Sequence, residues 1–130
     1  DMQYIIKRTY TYLIINTLPE NEQGCLITNS VLAQHEETTI NKYLESGTTK
    51  IGIIIYGKNA NDETTYKKYY QLGKLGFTNV SLYPGGLFEW LLLQDIYGLD
   101  EFTTTSKQLD ILKYKPRKTL HAGLIGYYAS

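Results

Sequence analysis

The sequence predicts an α/β protein built on a parallel sheet with helices on both faces, and three observations carry that prediction. The run Ile51-Gly52-Ile53-Ile54-Ile55-Tyr56 is apolar on both sides and rich in β-branched residues, as a strand covered twice by helices requires. Helical spacing of apolar residues appears before it, over residues 35–45, and charge order typical of a helix appears after it, over residues 62–75. A shorter strand pattern and another helix follow, and strand, helix, strand, helix at these spacings gives a parallel sheet.

Taken in order, the first element is Tyr12-Leu13-Ile14-Ile15, a short apolar run between Thr11 and Asn16 that Pro19 soon stops. It reads as a buried strand. Polar residues 20–24 form a loop, Cys25-Leu26-Ile27 a brief extended piece, and Thr28-Asn29-Ser30 a turn. Ile40, Tyr43 and Leu44 recur at helical spacing within residues 35–45, and Gly47 supplies the stop. After the strand ending at Tyr56, the loop of residues 57–61 leads into a helix over 62–75, with acidic residues early, lysines later and Gly76 just beyond its end. Asn79-Val80-Ser81-Leu82-Tyr83 alternates like a strand, and Pro84-Gly85-Gly86 delivers the chain into a helix over 87–97. Beyond Gly98 the pattern weakens: a short helical piece is expected over 107–112, a linker at Pro116-Arg117-Lys118, and an apolar tail without period over 120–130.

Composition excludes several classes. Thirteen basic residues balance thirteen acidic ones in 130, so no positive field exists to hold a nucleic-acid backbone or an anionic membrane. An apolar content of 42% is too high for a disordered chain, and no apolar run reaches the roughly 18 residues that span a bilayer. No nucleic-acid partner and no direct membrane insertion are expected. The single cysteine, Cys25, permits neither an internal disulfide nor a cysteine-rich zinc site, which favours a reducing intracellular compartment such as cytoplasm or mitochondrion. The opening Asp1-Met2 carries no signal-peptide pattern, and the chain is read as a processed form or as part of something longer.

The stretch Leu75-Gly76-Phe77-Thr78-Asn79-Val80, followed by Leu82-Tyr83-Pro84-Gly85-Gly86-Leu87-Phe88-Glu89-Trp90, joins a helix stop, a strand and a Gly-Gly helix entry in fixed order. Together with the strands at Leu13-Ile14-Ile15-Asn16 and Ile54-Ile55-Tyr56, it resembles a rhodanese-like domain over about two thirds of the chain. The resemblance implies a rhodanese-like three-layer α/β/α fold with a central parallel sheet. It places the domain at residues 1–106, with its core at 11–98 and a C-terminal extension over 107–130.

The same resemblance implies where the chemistry should be, and the residues there are the wrong ones. The sulfur-accepting cysteine falls on Gly57, which has no nucleophile. The loop Gly57, Lys58, Asn59, Ala60, Asn61, Asp62 ends in Asp62 and Glu63 where an arginine would stabilise a bound anion, and those carboxylates repel one. The aspartate and arginine that follow the first strand in active members correspond to Asn16 and Leu18. The expectation is a pseudoenzyme with no catalytic residue, no cofactor and no metal. A phosphate loop is absent, since no second glycine followed by Lys and Ser or Thr stands at the helix start. His121 has no second ligand at metal-binding spacing, and His35 reads as an ordinary early-helix residue beside Glu36 and Glu37.

The helix over 87–97 is apolar beyond a single stripe, leaving only Glu89, Gln94 and Asp95 as polar positions. Either the segment after Gly98 folds back over it or a partner protein does. For the second case Phe88, Trp90, Leu92, Ile96 and Tyr97 are the docking candidates, with Tyr69-Tyr70 and Tyr127-Tyr128 as further aromatic pairs. Lys115-Pro116-Arg117-Lys118 and the apolar tail form a candidate arm. The expected role is a protein-interaction or structural subunit of a larger assembly. Two alternatives stand beside it: a sulfurtransferase or persulfide carrier using Cys25, and a sensor whose Asp62 and Glu63 favour a cationic ligand.

Overall fold

The computed structural model of the chain describes residues 1–8 and 11–116 and forms a four-stranded, all-parallel sheet in the order β2-β1-β3-β4. Along the chain run a short helix α1 (Met2–Ile5), β1 (Tyr12–Asn16), a 3-10 turn (Glu20–Glu22), β2 (Ser30–Val31) and α2 (Ala33–Glu45). Then come β3 (Gly52–Tyr56), α3 (Thr64–Lys74), β4 (Val80–Tyr83), α4 (Gly86–Tyr97) and a second 3-10 turn (Ile111–Tyr114).

Alternation along the two central strands divides the core into two layers. Ile14, Ile54 and Tyr56 face a cluster with Met2, Ile5, Leu26, Leu87, Trp90 and Leu91, which is the α1 and α4 side. Leu13, Ile15, Ile53 and Ile55 face Ile40, Leu72 and Phe77, which is the α2 and α3 side. All five residues of β3 are buried, and β3 pairs along its whole length with β1, from Tyr12 opposite Gly52 to Asn16 opposite Tyr56. Each fully buried isoleucine contributes about 1.5–3 kcal/mol. Three layers with a parallel sheet in the middle are therefore what the both-sided apolar run demanded.

Local chemistry sets the ends of the helices. α3 stops at Gly76, whose φ of +110° a residue with a Cβ adopts only with strain. The Phe77 N–H then donates to the Leu72 carbonyl at 3.2 Å while both side chains enter the same core layer, a hydrogen bond and an apolar contact sealing the last turn together. α2 begins after Leu32, which has no capping side chain, and its first N–H, on Ala33, is capped by Gln23 Oε1 at 2.9 Å from ten residues upstream.

The segment after Gly98 does fold back over α4. Trp90 Nε1 donates to the Thr103 carbonyl at 3.0 Å, Gln94 Nε2 donates to the Phe102 carbonyl at 2.6 Å, and the Phe102 ring meets Trp90 edge-on at 5.0 Å. From there residues 103–106 run antiparallel against residues 24–28. Thr105 N donates to the Leu26 carbonyl, Leu26 N to Thr105 Oγ1, Thr28 N to the Thr103 carbonyl and the Ser106 hydroxyl to the Gly24 carbonyl.

Four expectations are corrected. Ser30, expected in a turn, begins the edge strand Ser30–Val31, because Ile14 and Ile15 pair with Ser30 and Val31. The helical piece after residue 106 lies at Ile111–Tyr114. Residues 107–116 are not a tail, since Tyr114 is 2% exposed and sits in the α4-side core. At the other end the core begins before residue 11, at Met2, Ile5 and Ile6. The arm from Arg117 and the tail over 120–130, with His121, Tyr127 and Tyr128, lie outside the described residues.

Candidate functional site

A parallel sheet leaves its functional residues at the C-terminal ends of its strands, and here those are the ends of β1 and β3. After β3 the chain turns through residues 57–61 toward α3, packed beneath the start of α4. The Leu87 N–H donates to the Gly57 carbonyl and the Phe88 N–H to the Lys58 carbonyl, both at 2.9 Å. Gly86 permits this approach. Its φ is +65°, and a Cβ there would stand 2.5 Å from the Gly57 oxygen and 2.9 Å from Asn59 N. The Gly-Gly entry thus couples α4 to the loop.

Inside the loop sits the Asp62 carboxylate. One oxygen accepts from the Lys58 N–H at 2.9 Å, and the other accepts from the Thr64 N–H at 3.1 Å and from the Thr64 hydroxyl. Amides that curl round a point before a helix make an anion cradle, and this one is filled by the chain's own anion. α3 begins at Thr64, so Asp62 acts from just outside the helix, and Glu63, at the cap position, makes no side-chain capping bond. A Cβ on Gly57 would lie 2.8 Å from Asp62 Cγ and 2.9 Å from Thr65 Cγ2. A carboxylate thus occupies the space a side chain at position 57 would need, and it also lines the open cleft above the loop.

The end of β1 is closed in another way. Asn16 is buried, donates to the Val31 carbonyl and to Gln23 Oε1, and accepts from Leu18 N and Gln23 Nε2. Gln23 also donates to the Leu18 and Pro19 carbonyls. This uncharged amide pair ties β1, β2 and the start of α2 together. Leu18, at the neighbouring position, is buried in the core. No cation stands at either position to draw an anion to the strand end.

Lys58 pairs with Glu22 at 3.1 Å. Asn59 donates its side-chain N–H to the Tyr114 carbonyl at 2.8 Å and accepts from Asn61 N, pinning the second 3-10 turn on the loop. Above the loop lies an open cleft of about 480 Å³ whose lining includes Thr17, Lys58, Asn61, Asp62, Lys113 and Lys115. Below it, Tyr56 accepts from Ile27 N at 3.1 Å and shares a 2.7 Å hydrogen bond with the Ser30 hydroxyl. Burial pushes the Tyr56 hydroxyl well above the usual tyrosine range, against the lowering influence of Ser30 and Ile27 N.

Cys25 does not join this site. Its thiol is 4% exposed, packed in the α4-side core, and donates to the Ser106 carbonyl at 3.4 Å. His35 lies on α2 beside Gln34 and Glu36. Of the docking candidates, Trp90 is 1% exposed and lies in the core, while Phe88 is half-buried against it. Leu92, Ile96 and Tyr97 are exposed, the last two at 69% and 62%, and Leu99 just beyond α4 is exposed as well. Among the described residues no group of three or more His, Cys, Asp and Glu side chains is placed to hold a metal, and no helix is long and apolar enough to cross a membrane. Sequence reasoning missed Gln23, Lys113 and Tyr114, and it read Lys115 as the start of a candidate arm. For Tyr114 the only signal was an apolar pair, Ile111 and Tyr114, three residues apart.

No family model matches the sequence, and no curated protein matches it. Solved structures do match. The Rhodanese_3-like domain of a protein from Anabaena sp. is similar over 75% of this chain and 94% of its own, with a TM-score of 0.52 and 22% identity. A second crystal structure of that Anabaena protein is similar over 85% of this chain and 83% of its own, with a TM-score of 0.53 and 19% identity. The fold is rhodanese-like, a mixed α/β architecture with a central parallel sheet flanked by helices.

Proposed function

We propose that this chain is a rhodanese-fold domain without sulfur-transfer chemistry, serving as a protein-interaction or structural subunit of a larger assembly. The observation that carries the reading is Asp62: its carboxylate fills the amide cradle and the space a side chain at position 57 would need. A sulfurtransferase needs an accessible thiolate beside positive charge. Position 57 offers no thiol, and Cys25 is buried with its proton directed at a backbone carbonyl.

The test is sulfur transfer from thiosulfate to cyanide. Wild-type protein and Cys25→Ser are both expected to match the protein-free rate. Transfer above that rate which disappears in Cys25→Ser overturns the reading and establishes the cysteine enzyme.

The interaction half rests on the exposed Leu92, Ile96 and Tyr97 of α4 and Leu99 beyond it, since large aromatic and aliphatic side chains are where interfaces concentrate their energy. Gentle affinity purification of the tagged chain from its own cells, followed by sizing and mass spectrometry, should recover stoichiometric companions. Ile96→Asp with Tyr97→Asp should release them. A wild-type protein that runs alone as a compact monomer contradicts the assembly role.

A further inference from the structure

We propose that the outer edge of β4 is the docking site of this chain's own residues 124–128, added to the sheet as a strand antiparallel to β4. The sheet ends at β4, so one side of that strand pairs with β3 and the other has no strand beside it among the described residues. The Ile53 N–H donates to the Asn79 carbonyl at 2.9 Å, which fixes the phase of the ladder. Ser81 and Tyr83 then direct their backbone groups at β3, and Val80 and Leu82 direct theirs off the sheet. Among the described residues those two N–H and two C=O groups make no hydrogen bond. Nothing along the edge repels a strand: residues 77–83 carry no charge, and Pro84 comes only after them. Beside it Tyr69, Tyr70, Gly73, Lys74, Thr78 and Val80 line an open cavity of about 270 Å³, room for a side chain of an added strand. Strand addition draws affinity from main-chain hydrogen bonds and specificity from such pockets.

Area and reach select the occupant. Four residues of strand are about 13 Å long, and a separate molecule held by so short an edge buries far less than the roughly 1,200 Å² of a stable complex. A segment of the same chain stands at an effective concentration of about 1 mM and needs less. The described residues end at Pro116, and Lys115 lines the cleft over the loop that leaves β3. Tyr83 lies opposite Tyr56, so β4 ends one strand spacing, about 4.8 Å, from where that loop starts. Extended, residues 117–123 span up to about 24 Å, enough to reach that end of the edge. A chain entering there runs antiparallel to β4 and needs no crossover. From Leu120 to Ser130 there is no Asp, Glu, Lys or Arg, which suits an uncharged edge, and Leu124, Ile125, Tyr127 and Tyr128 are residue types at home on a pleated surface. Docking here uses none of the α4 residues behind the assembly role, so each stands or falls by its own experiment.

The experiment is hydrogen exchange of the full chain, read by NMR at the Val80 and Leu82 amides. Both are expected to exchange about tenfold or more slowly than in the Leu124→Pro, Ile125→Pro double variant, whose prolines remove strand donors. The difference should be the same in dilute and in concentrated solution. Ile54 and Ile55, in the middle of the sheet, should exchange alike in both proteins and so verify that the variant is folded. Wild-type exchange of Val80 and Leu82 at the rate of free amides overturns the proposal, and so does protection that survives the two prolines. Protection that grows with protein concentration overturns it as well, and assigns the edge to a second copy of the chain.

Discussion

A Cβ on Gly57 collides with Asp62 and Thr65, so cysteine fits there only if the Asp62 carboxylate leaves its amide partners. Gly57→Cys is therefore expected to lower stability by about 1–3 kcal/mol in denaturant melts and to leave sulfur transfer at the protein-free rate. Recovery of transfer by that single change contradicts the account of the loop. Tyr56 carries a second prediction at this scale. Its phenol is neutral and buried, with its ionisation pushed upward by desolvation, so above the ordinary tyrosine value of 10.0 the unfolded chain loses a proton that the folded chain keeps. Stability is whole below that pH and falls as pH rises through it. Tyr83 acts in the same direction, through burial first and then the neighbouring Glu89 carboxylate. Tyr56→Phe should cost about 1–3 kcal/mol at neutral pH, because Ile27 N and Ser30 lose their partner, and should flatten the alkaline decline measured between about pH 8 and pH 11.

Helices α3 and α4 each contain or begin at a glycine, and the two should respond oppositely to alanine. Gly86 has a positive φ and touches the Gly57 carbonyl, so Gly86→Ala is expected to destabilise by more than about 2 kcal/mol and to shift the loop amides. Gly73 lies within α3 with nothing within 4 Å of an added Cβ, and Gly73→Ala should stabilise by about 0.4–1 kcal/mol. Paired thermal melts distinguish the two. Sequence order alone announces elements whose side chains all answer to one layer or two: β3 was legible because every residue of it is buried. β2 was not, because two half-buried residues are held as a strand only by Ile14 and Ile15 alongside, while apolar Leu26 and Ile27 mimic a strand from within a core loop. The site divides the same way. Its missing thiol was readable at Gly57 through the resemblance, and Asp62 was readable as a carboxylate where an arginine would stand. The contacts of Gln23 with Ala33 and of Asn59 with Tyr114 span ten and 55 residues, and no local pattern encodes them.

For the whole molecule, Tyr114 in the core and Ile111 packed against it anchor residues 107–116 to the domain. A chain ending at residue 106 should be less stable than one ending at residue 116 by about 3 kcal/mol, or about 10 °C in Tm by calorimetry. Equal stabilities would return that segment to the status of a tail. The antiparallel run of residues 103–106 against residues 24–28 has a temporal side too. Leu26 N and the Thr105 hydroxyl are 79 positions apart, so a ribosome extending at about 5–20 residues per second makes the first wait roughly 4–16 s for the second. Throughout that interval Leu26 and Ile27 are apolar surface on an unfinished chain, and the newborn protein needs shielding before it can bury them.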